Sequence, residues 1–326
     1  MNKQLKGDTM QGYRLHIRPL SAFATKLMGD TLFGQICWAI RNRFGEARLQ
    51  ECLQGYTDNQ PFLVVSDAFP HGYLPRPHLP HLFFDFDDNV DRKALKKLHY
   101  LPIKSVNQPV EKWLDFCKTE QQAFSGDDGL RQEIQPHNTI NRLTGTTGEG
   151  DFAPYSVRQN WYPQGAELNL YLLLDESRLA KEDLRQCLDD IADMGYGKDA
   201  SIGMGKFAIV SVETHDLAKQ DQANACMTLA NCAPQGLGYD AKRSFYQLFT
   251  RFGRHGDIAV HQKAKPFKNP ILMASAGSVF TCDVPTTAFI GQGLGGDGSL
   301  SKTIKDTVHQ GYAPCIAIHL PNRDTE

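Results

Sequence analysis

Met194–Val210 reads MGYGKDASIGMGKFAIV, and the parsing of this run decides the fold. Upstream of it, Leu179, Leu184, Leu188, Ile191 and Met194 recur at the spacing of one helical face, which predicts a helix over 178–194. Downstream, Lys206–Glu213 (KFAIVSVE) alternates apolar and polar residues, the period of a half-buried strand. Between them lie Gly195, Gly197, Gly203 and Gly205 with Lys198, Ser201 and Lys206. The run is therefore a helix, a glycine-rich loop and a strand. Working outward, AELNLYLLLD (166–175) predicts a strand immediately before the helix. Near the N-terminus, YRLHIRPL (13–20) places Tyr13, Leu15 and Ile17 on one strand face and Arg14, His16 and Arg18 on the other. TLFGQICWAIRNRFG follows as a helix that Asp30 is expected to cap and Gly45 to end, with Leu32, Phe33, Ile36, Cys37 and Ile40 inward. PFLVVSDAF (61–69) predicts another strand.

Taken together, Tyr13–Glu213 spells strand, helix, strand, insertion, strand, helix, strand. That is the βαββαβ order of a ferredoxin-like, RRM-like unit in an α+β fold. The insertion, about 71–163, holds the Pro-rich LPRPHLPH, the basic DRKALKKL and the polar HNTINRLTGTTGEGD, and is expected to form loops, a short helix and a hairpin without a separate core. The expected division is 1–215, with the glycine-rich loop at 195–205, and 216–326 as a second, irregular ferredoxin-like unit. In that unit AKRSFYQLFTRFG is expected to be helical, PILMASAGSVFTC a strand pair about Ala276–Gly277, GQGLGGDGSLS a second glycine loop and YAPCIAIHL a closing strand.

Bulk properties narrow the function. With 41% hydrophobic and 22% charged residues, the 326-residue chain can bury a substantial core. A net charge of −2 excludes a generally basic nucleic-acid coat, so any polyanion site is a local patch. The eight cysteines show no CxxC and no tight pairing, which argues against a disulfide framework or a zinc ribbon. A reduced, cytoplasmic protein is expected; no apolar run approaches the roughly 20 residues of a membrane span.

The glycine loop fails the nucleotide motifs. A phosphate-binding P-loop requires GxxxxGK and then Ser or Thr, but Phe207 follows Gly205–Lys206 and Ala200 stands at the first glycine's position. Residues 203–208 do match GxGxxA, yet the dinucleotide fingerprint leaves a strand and opens a helix, and this loop does the reverse. A plain helix C-cap needs one glycine, Gly195. Three more, with Lys198, Ser201 and Lys206 to meet phosphates, point to an RNA backbone.

Several segments in this order resemble one family. GDTLFGQICWAI, FPHGYLPRPHLP, HNTINRLTGTTGEGDFAPY and GYGKDASIGMGKF are similar to the first helix, Pro-rich run, central hairpin and glycine-rich loop of RAMP-superfamily CRISPR proteins. Within that superfamily they resemble the 5′-handle-capping subunits of type III-A effector complexes. KPFKNPILMASAGSVF and HQGYAPCIAI extend the likeness to the C-terminal part. The resemblance implies two ferredoxin-like domains, no cofactor and no catalysis. It implies a grip on the repeat-derived 5′ handle of the crRNA, with a Cas10-type large subunit and the adjacent backbone RAMP subunit as protein partners. It places the handle grip at Lys198–Lys206 and a thumb at Asn138–Gly150, with Asn138, Asn141, Arg142 and Thr144 as RNA contacts. Asp199 departs from the pattern, because an unpaired acid would repel phosphate.

The same surface has further candidate residues. Lys242–Lys268 holds seven Lys/Arg against one acid, Asp257, with five interleaved aromatics. Its helical part reads as core aromatics and solvated cations, whereas HQKAKPFKN (261–269) reads as a basic loop whose Lys263 and Lys265 touch RNA or a partner. Arg14 and Arg18 are further candidates if the sheet's second face is open. A metal-independent endoribonuclease processing CRISPR repeat RNA is the alternative from another class, and a purely protein-binding adaptor is a third. Cleavage requires a general base, and His16, His137 and His261 are the available histidines, none with a partner fixed by spacing. His71, His78 and His81 with Asp85 lack the context of known zinc sites, so no metal is expected.

Overall fold

β1 (Gln11–Pro19) is the spine of the first sheet. The computed structural model describes residues 10–85, 91–124, 129–256, 266–281 and 288–323. As the alternation predicts, Tyr13, Leu15 and Ile17 are buried, while Arg14, His16 and Arg18 lie on the opposite face. The chain continues into α1 (Gly29–Phe44), α2 (Glu46–Leu53), β2 (Leu63–Val65) and β3 (Phe69–Pro70). Gly45 ends α1 at φ 95°, a left-handed value that glycine adopts at little cost, and its N–H reaches the Arg41 carbonyl at 2.9 Å.

The insertion adds β4 (Tyr73–Pro75), α3 (Arg92–Leu95), β5 (Leu98–Pro102), α4 (Trp113–Phe116), β6 (Lys118–Thr119), α5 (Glu120–Ala123) and a hairpin of β7 (Arg131–His137) and β8 (Tyr155–Trp161). β4, β5 and β6 form a small sheet. The buried Trp113 packs with Phe83 and Leu101 in one cluster that also takes in Tyr171 and residues from the C-terminal strands.

β9 (Leu168–Leu174), α6 (Lys181–Met194) and β10 (Phe207–Thr214) complete the first unit. Its sheet runs β10-β1-β9-β2, with β3 also on β9, and every pairing is antiparallel. Numbered by strand, this is 4-1-3-2 with a helix after the first and third strands, the expected βαββαβ arrangement. Leu32, Phe33 and Ile36 of α1 and Leu184, Leu188 and Ile191 of α6 cover the face that carries Leu15 and Ile17. The other face is not fully open: Tyr171 of β9 is buried on it under the insertion and C-terminal strands.

Several expectations are corrected. α6 begins at Lys181, so Leu179 is buried just ahead of the helix, and Met194 is 62% exposed where the helix gives way to the loop. Asp30 does not cap α1. The N-cap position falls at Met28, and the Gly29 N–H donates to the Asp67 carboxylate at 2.8 Å instead. The Asp30 side chain turns inward and is fully buried.

The second part contains β11 (Ala225–Thr228), β12 (Leu248–Arg251), β13 (Ile271–Ala274), β14 (Val279–Thr281), β15 (Phe289–Gly295) and β16 (Val308–Ile318). Its main sheet runs β14-β11-β16-β15, which in strand number is not the 4-1-3-2 order of the first. No α-helix follows Met194 among the described residues. AKRSFYQLFTRFG is therefore not helical: it makes one 3₁₀ turn (Ala241–Arg243) and then β12. β13 and β14 do not pair with each other, because β13 takes β12 as its partner and β14 takes β11. GQGLG, expected as loop, is strand within β15. There Gly293 lies against Tyr56, leaving no room for a Cβ.

The two parts are joined through charge as well as apolar contact. Arg251 of β12 places its Nε 2.6 Å from Asp30, and His309 of β16 lies 3.3 Å away. Burial alone would raise the Asp30 carboxyl; His309 and Arg251 outweigh it and hold it at about 2. The neighbouring Asp67 is pushed the other way, to about 7, chiefly by burial, with the Gly29 N–H opposing. An acid raised on folding binds more protons in the folded state, so its contribution falls as pH rises from about 4 to about 7. Asp67→Asn retains an acceptor for Gly29 and removes the titration. The expected difference in unfolding free energy between variant and parent grows in the variant's favour across that interval, measured by urea unfolding at a series of pH values.

Candidate functional site

The glycine-rich loop is fastened to one short segment, Leu20–Met28, the connection from β1 to α1. The Tyr196 ring is fully buried, and its hydroxyl donates to the Lys26 carbonyl at 2.9 Å and accepts the Met28 N–H at 3.0 Å. The Gly205 N–H donates to the Ala22 carbonyl at 2.8 Å. The Lys198 N–H donates to Thr25 Oγ1 at 3.0 Å and the Lys206 N–H to Ser21 Oγ at 2.9 Å. Leu20 N–H closes the far end on the Lys206 carbonyl at 2.8 Å.

These fastenings change the reason for the glycines. Gly195, Gly197, Gly203 and Gly205 all have positive φ, between 73° and 103°. A Cβ at Gly195 would run into the Met204 carbonyl oxygen, one at Gly205 into that of Tyr196, and one at Gly197 into Thr25. Only Gly203 has open space around it. Close packing of the loop on itself and on Leu20–Met28 accounts for the glycines without a ligand. Outward the loop presents the exposed Lys198, Ser201 and Lys206, together with the apolar Ile202. Asp199 adopts a left-handed φ of 64°, and its backbone carbonyl accepts the N–H groups of Ile202 and Met204 at 3.1 and 3.2 Å.

The same segment carries the hairpin. Phe23 pairs with Asn160 of β8 through two backbone hydrogen bonds of 2.9 Å, and the Asn160 amide adds a third to the Phe23 carbonyl at 3.0 Å. Loop and hairpin are thus anchored on opposite sides of Leu20–Met28. They meet again further out, where the Lys198 ammonium lies 6.0 Å from the Tyr155 ring centre and His137 stacks on that ring at 5.1 Å. Among the hairpin-tip residues, Asn138, Arg142 and Thr144 are exposed, and Asn141 is tied into the turn by accepting the Leu143 N–H at 2.9 Å. Sequence reasoning missed Ser21, Thr25 and Lys26. The available signal was a short run of small polar residues and a lysine between a strand and a helix.

The other candidates lie elsewhere. Arg14 is paired with Glu213 at 2.6 Å, and Arg18 with Glu167 at 2.9 Å, so acids of neighbouring strands offset both cations. His16 also faces Glu167, at 2.9 Å. Lys263, Lys265 and His261 lie outside the described residues. His78, half-buried, meets Ser275 Oγ at 3.0 Å rather than another histidine.

A family model described as "RAMPs: RAMP superfamily" matches residues 26–208, more than half of the chain and the span that holds the loop, the hairpin, α1, α6 and β9. The chain belongs to the RAMP superfamily. No curated protein sequence matches it. Among solved structures, it is similar to a chain of the Csm1–Csm4 cassette in complex with pppApA, with a TM-score of 0.60, 15% identity, and 96% of this chain and 100% of that one covered. A chain of the Csm3–Csm4 subcomplex of the type III-A CRISPR-Cas interference complex gives a TM-score of 0.59 at 15% identity, covering 95% and 100%. Csm4 is common to both assemblies, and the chain is Csm4-like in fold. No helix among the described residues is long and apolar enough to cross a membrane.

Proposed function

We propose that this chain is a non-catalytic RNA-binding subunit of a type III CRISPR effector complex, working in the cytoplasm. It grips the repeat-derived 5′ handle of the crRNA and contacts a Cas10-type large subunit and the adjacent backbone RAMP subunit. The division into 1–215 and 216–326 belongs to the same reading, as does the second part as an irregular ferredoxin-like domain, irregular in that its described residues form no α-helix and its sheet has a strand order of its own. The observation that carries it is the common support of loop and hairpin on Leu20–Met28, which brings Lys198 to Tyr155. Cations beside a flat aromatic surface suit single-stranded RNA, where phosphates need charge and bases need a stacking platform. The similarity to chains of Csm1–Csm4 and Csm3–Csm4 assemblies supports the choice of complex and partners.

The test is co-purification. The chain is tagged and expressed with its genomic neighbours and a CRISPR array, and the recovered RNA is sequenced. RNAs sharing one repeat-derived 5′ end, together with the two protein partners, are the expected result. Partners that arrive equally well after complete RNA digestion would make the chain an adaptor. Lys198→Ala combined with Lys206→Ala is expected to weaken handle-RNA binding roughly tenfold near 0.15 M salt and to flatten the log–log salt dependence by about 1.4, from about 0.7 per phosphate contact. Filter binding across a salt series checks both numbers, and an unchanged slope would remove these lysines from the RNA contact.

A further inference from the structure

On the sheet face opposite the helices, three side chains converge that are far apart in sequence: His16 of β1, His71 just after β3, and Glu167 just before β9. One nitrogen or oxygen from each lies within 4.8 Å of the others. His16 Nε2 stands 2.9 Å from Glu167 Oε2, and the two imidazole rings are 4.6 Å apart between centres. The backbone sets this meeting. β1 and β3 both pair with β9, and the His71 N–H donates to the Glu167 carbonyl at 2.9 Å.

We propose that His16, His71 and Glu167 form a binding site for one divalent transition-metal ion, with zinc as the ion that suits two imidazoles and a carboxylate. The groups around the ligands are placed as a metal site requires. Arg18 holds Glu167 Oε1 at 2.9 Å, which leaves Oε2 as the ligand oxygen. The fully buried Asn169 puts its Oδ1 3.3 Å from His71 Nδ1. With the proton on Nδ1 donated to that oxygen, the other ring nitrogen has the lone pair for a metal, the arrangement by which an outer carbonyl or carboxylate usually orients a zinc-bound histidine. Zinc with bonds of about 2.0–2.2 Å draws its ligand atoms closer together than the outer separation here. The exposed His71 can supply that movement, because its turn lies on the surface. Three protein ligands leave a fourth position for water or an incoming donor. The site differs from the HxxH grouping in the Pro-rich run: His71 is shared, whereas His78 bonds to Ser275.

The proposal does not depend on RNA binding. Its test uses the untagged full-length chain, purified through chelator and titrated with Zn²⁺ by calorimetry, with Co²⁺ as a visible probe. The expected result is one zinc per chain, a cobalt spectrum free of thiolate charge-transfer absorption, and a loss of affinity of about tenfold or more in His71→Ala. Because His71 is exposed, this variant is expected to unfold at the parent's temperature when zinc is absent. His16→Ala serves as the second ligand variant. No zinc uptake by the parent would overturn the site and leave His16–Glu167 as an ordinary hydrogen bond. Uptake that survives His71→Ala, or a sulfur charge-transfer band, would assign the ion to cysteines and overturn it equally.

Discussion

Arg251→Met is expected to destabilise the protein by about 3–5 kcal/mol, because it strands a buried carboxylate. Asp30 has no exposed side-chain surface and Arg251 only 14%, so water cannot replace the lost partner. His309 remains, but its imidazole is itself shifted toward the neutral form, first by burial. The deficit should be read as a lower urea midpoint at unchanged slope. It should shrink in strong acid. The Asp30 pKa is lowered on folding, so its contribution is complete above about 4 and disappears as pH falls toward 2, where a protonated Asp30 needs no guanidinium. Adding Asp30→Asn should recover part of the loss, since removing both charges costs less than removing one. A single-variant loss under about 1 kcal/mol, the range of an exposed pair, would mean that Arg251 and Asp30 do not hold the two parts together.

Tyr196→Ala should cost about 3–5 kcal/mol as well, through the cavity left by a fully buried aromatic side chain. Tyr196→Phe isolates the smaller share. It leaves the Met28 N–H without its acceptor, for about 1–3 kcal/mol. The two variants differ in reach. With the phenyl ring present, the loop keeps its packing beside Phe23; without it, the hydrogen bonds from Gly205 to Ala22 and from Lys206 to Ser21 lose their support. Amide hydrogen exchange at Gly205 and Lys206 should accelerate in Tyr196→Ala and stay near the parent in Tyr196→Phe. Equal protection in both would show that the loop is held without Tyr196.

The first unit was legible because its strands and helices have single readings. Tyr13, Leu15 and Ile17 fit only a two-residue period, and Leu184, Leu188 and Ile191 only a helical one. In Ala241–Gly253 the apolar residues fit both. Phe245, Leu248, Phe249 and Phe252 recur as on a helix, yet β13 is available as a partner, and pairing with it turns Phe249 toward Ile271 and Met273. The choice is made by a strand some twenty residues away, which no local window contains. Asp30 misled for the same reason. It stands where a capping residue belongs, and its true partner is 221 positions downstream. At the loop, the glycines have a second reason that the sequence alone does not display. A row of glycines is what a phosphate cradle requires, and it is also what a loop pressed onto Thr25 and its own carbonyls requires.

The pairing of β1 with β9 and β10 also orders events in time. Tyr13 is among the first described residues to be synthesised, and its partner Thr214 comes about two hundred residues later. At bacterial and eukaryotic elongation rates of about 5–20 residues per second, that interval is roughly 10–40 s. The hairpin that pairs with Phe23 and then β9 arrive before the end of that interval, so the last pieces added are the loop that fastens to Leu20–Met28 and β10 on the remaining edge of β1. The ribosome must therefore deliver nearly two thirds of the chain before β10 can close the first sheet and the glycine-rich loop can fasten to Leu20–Met28.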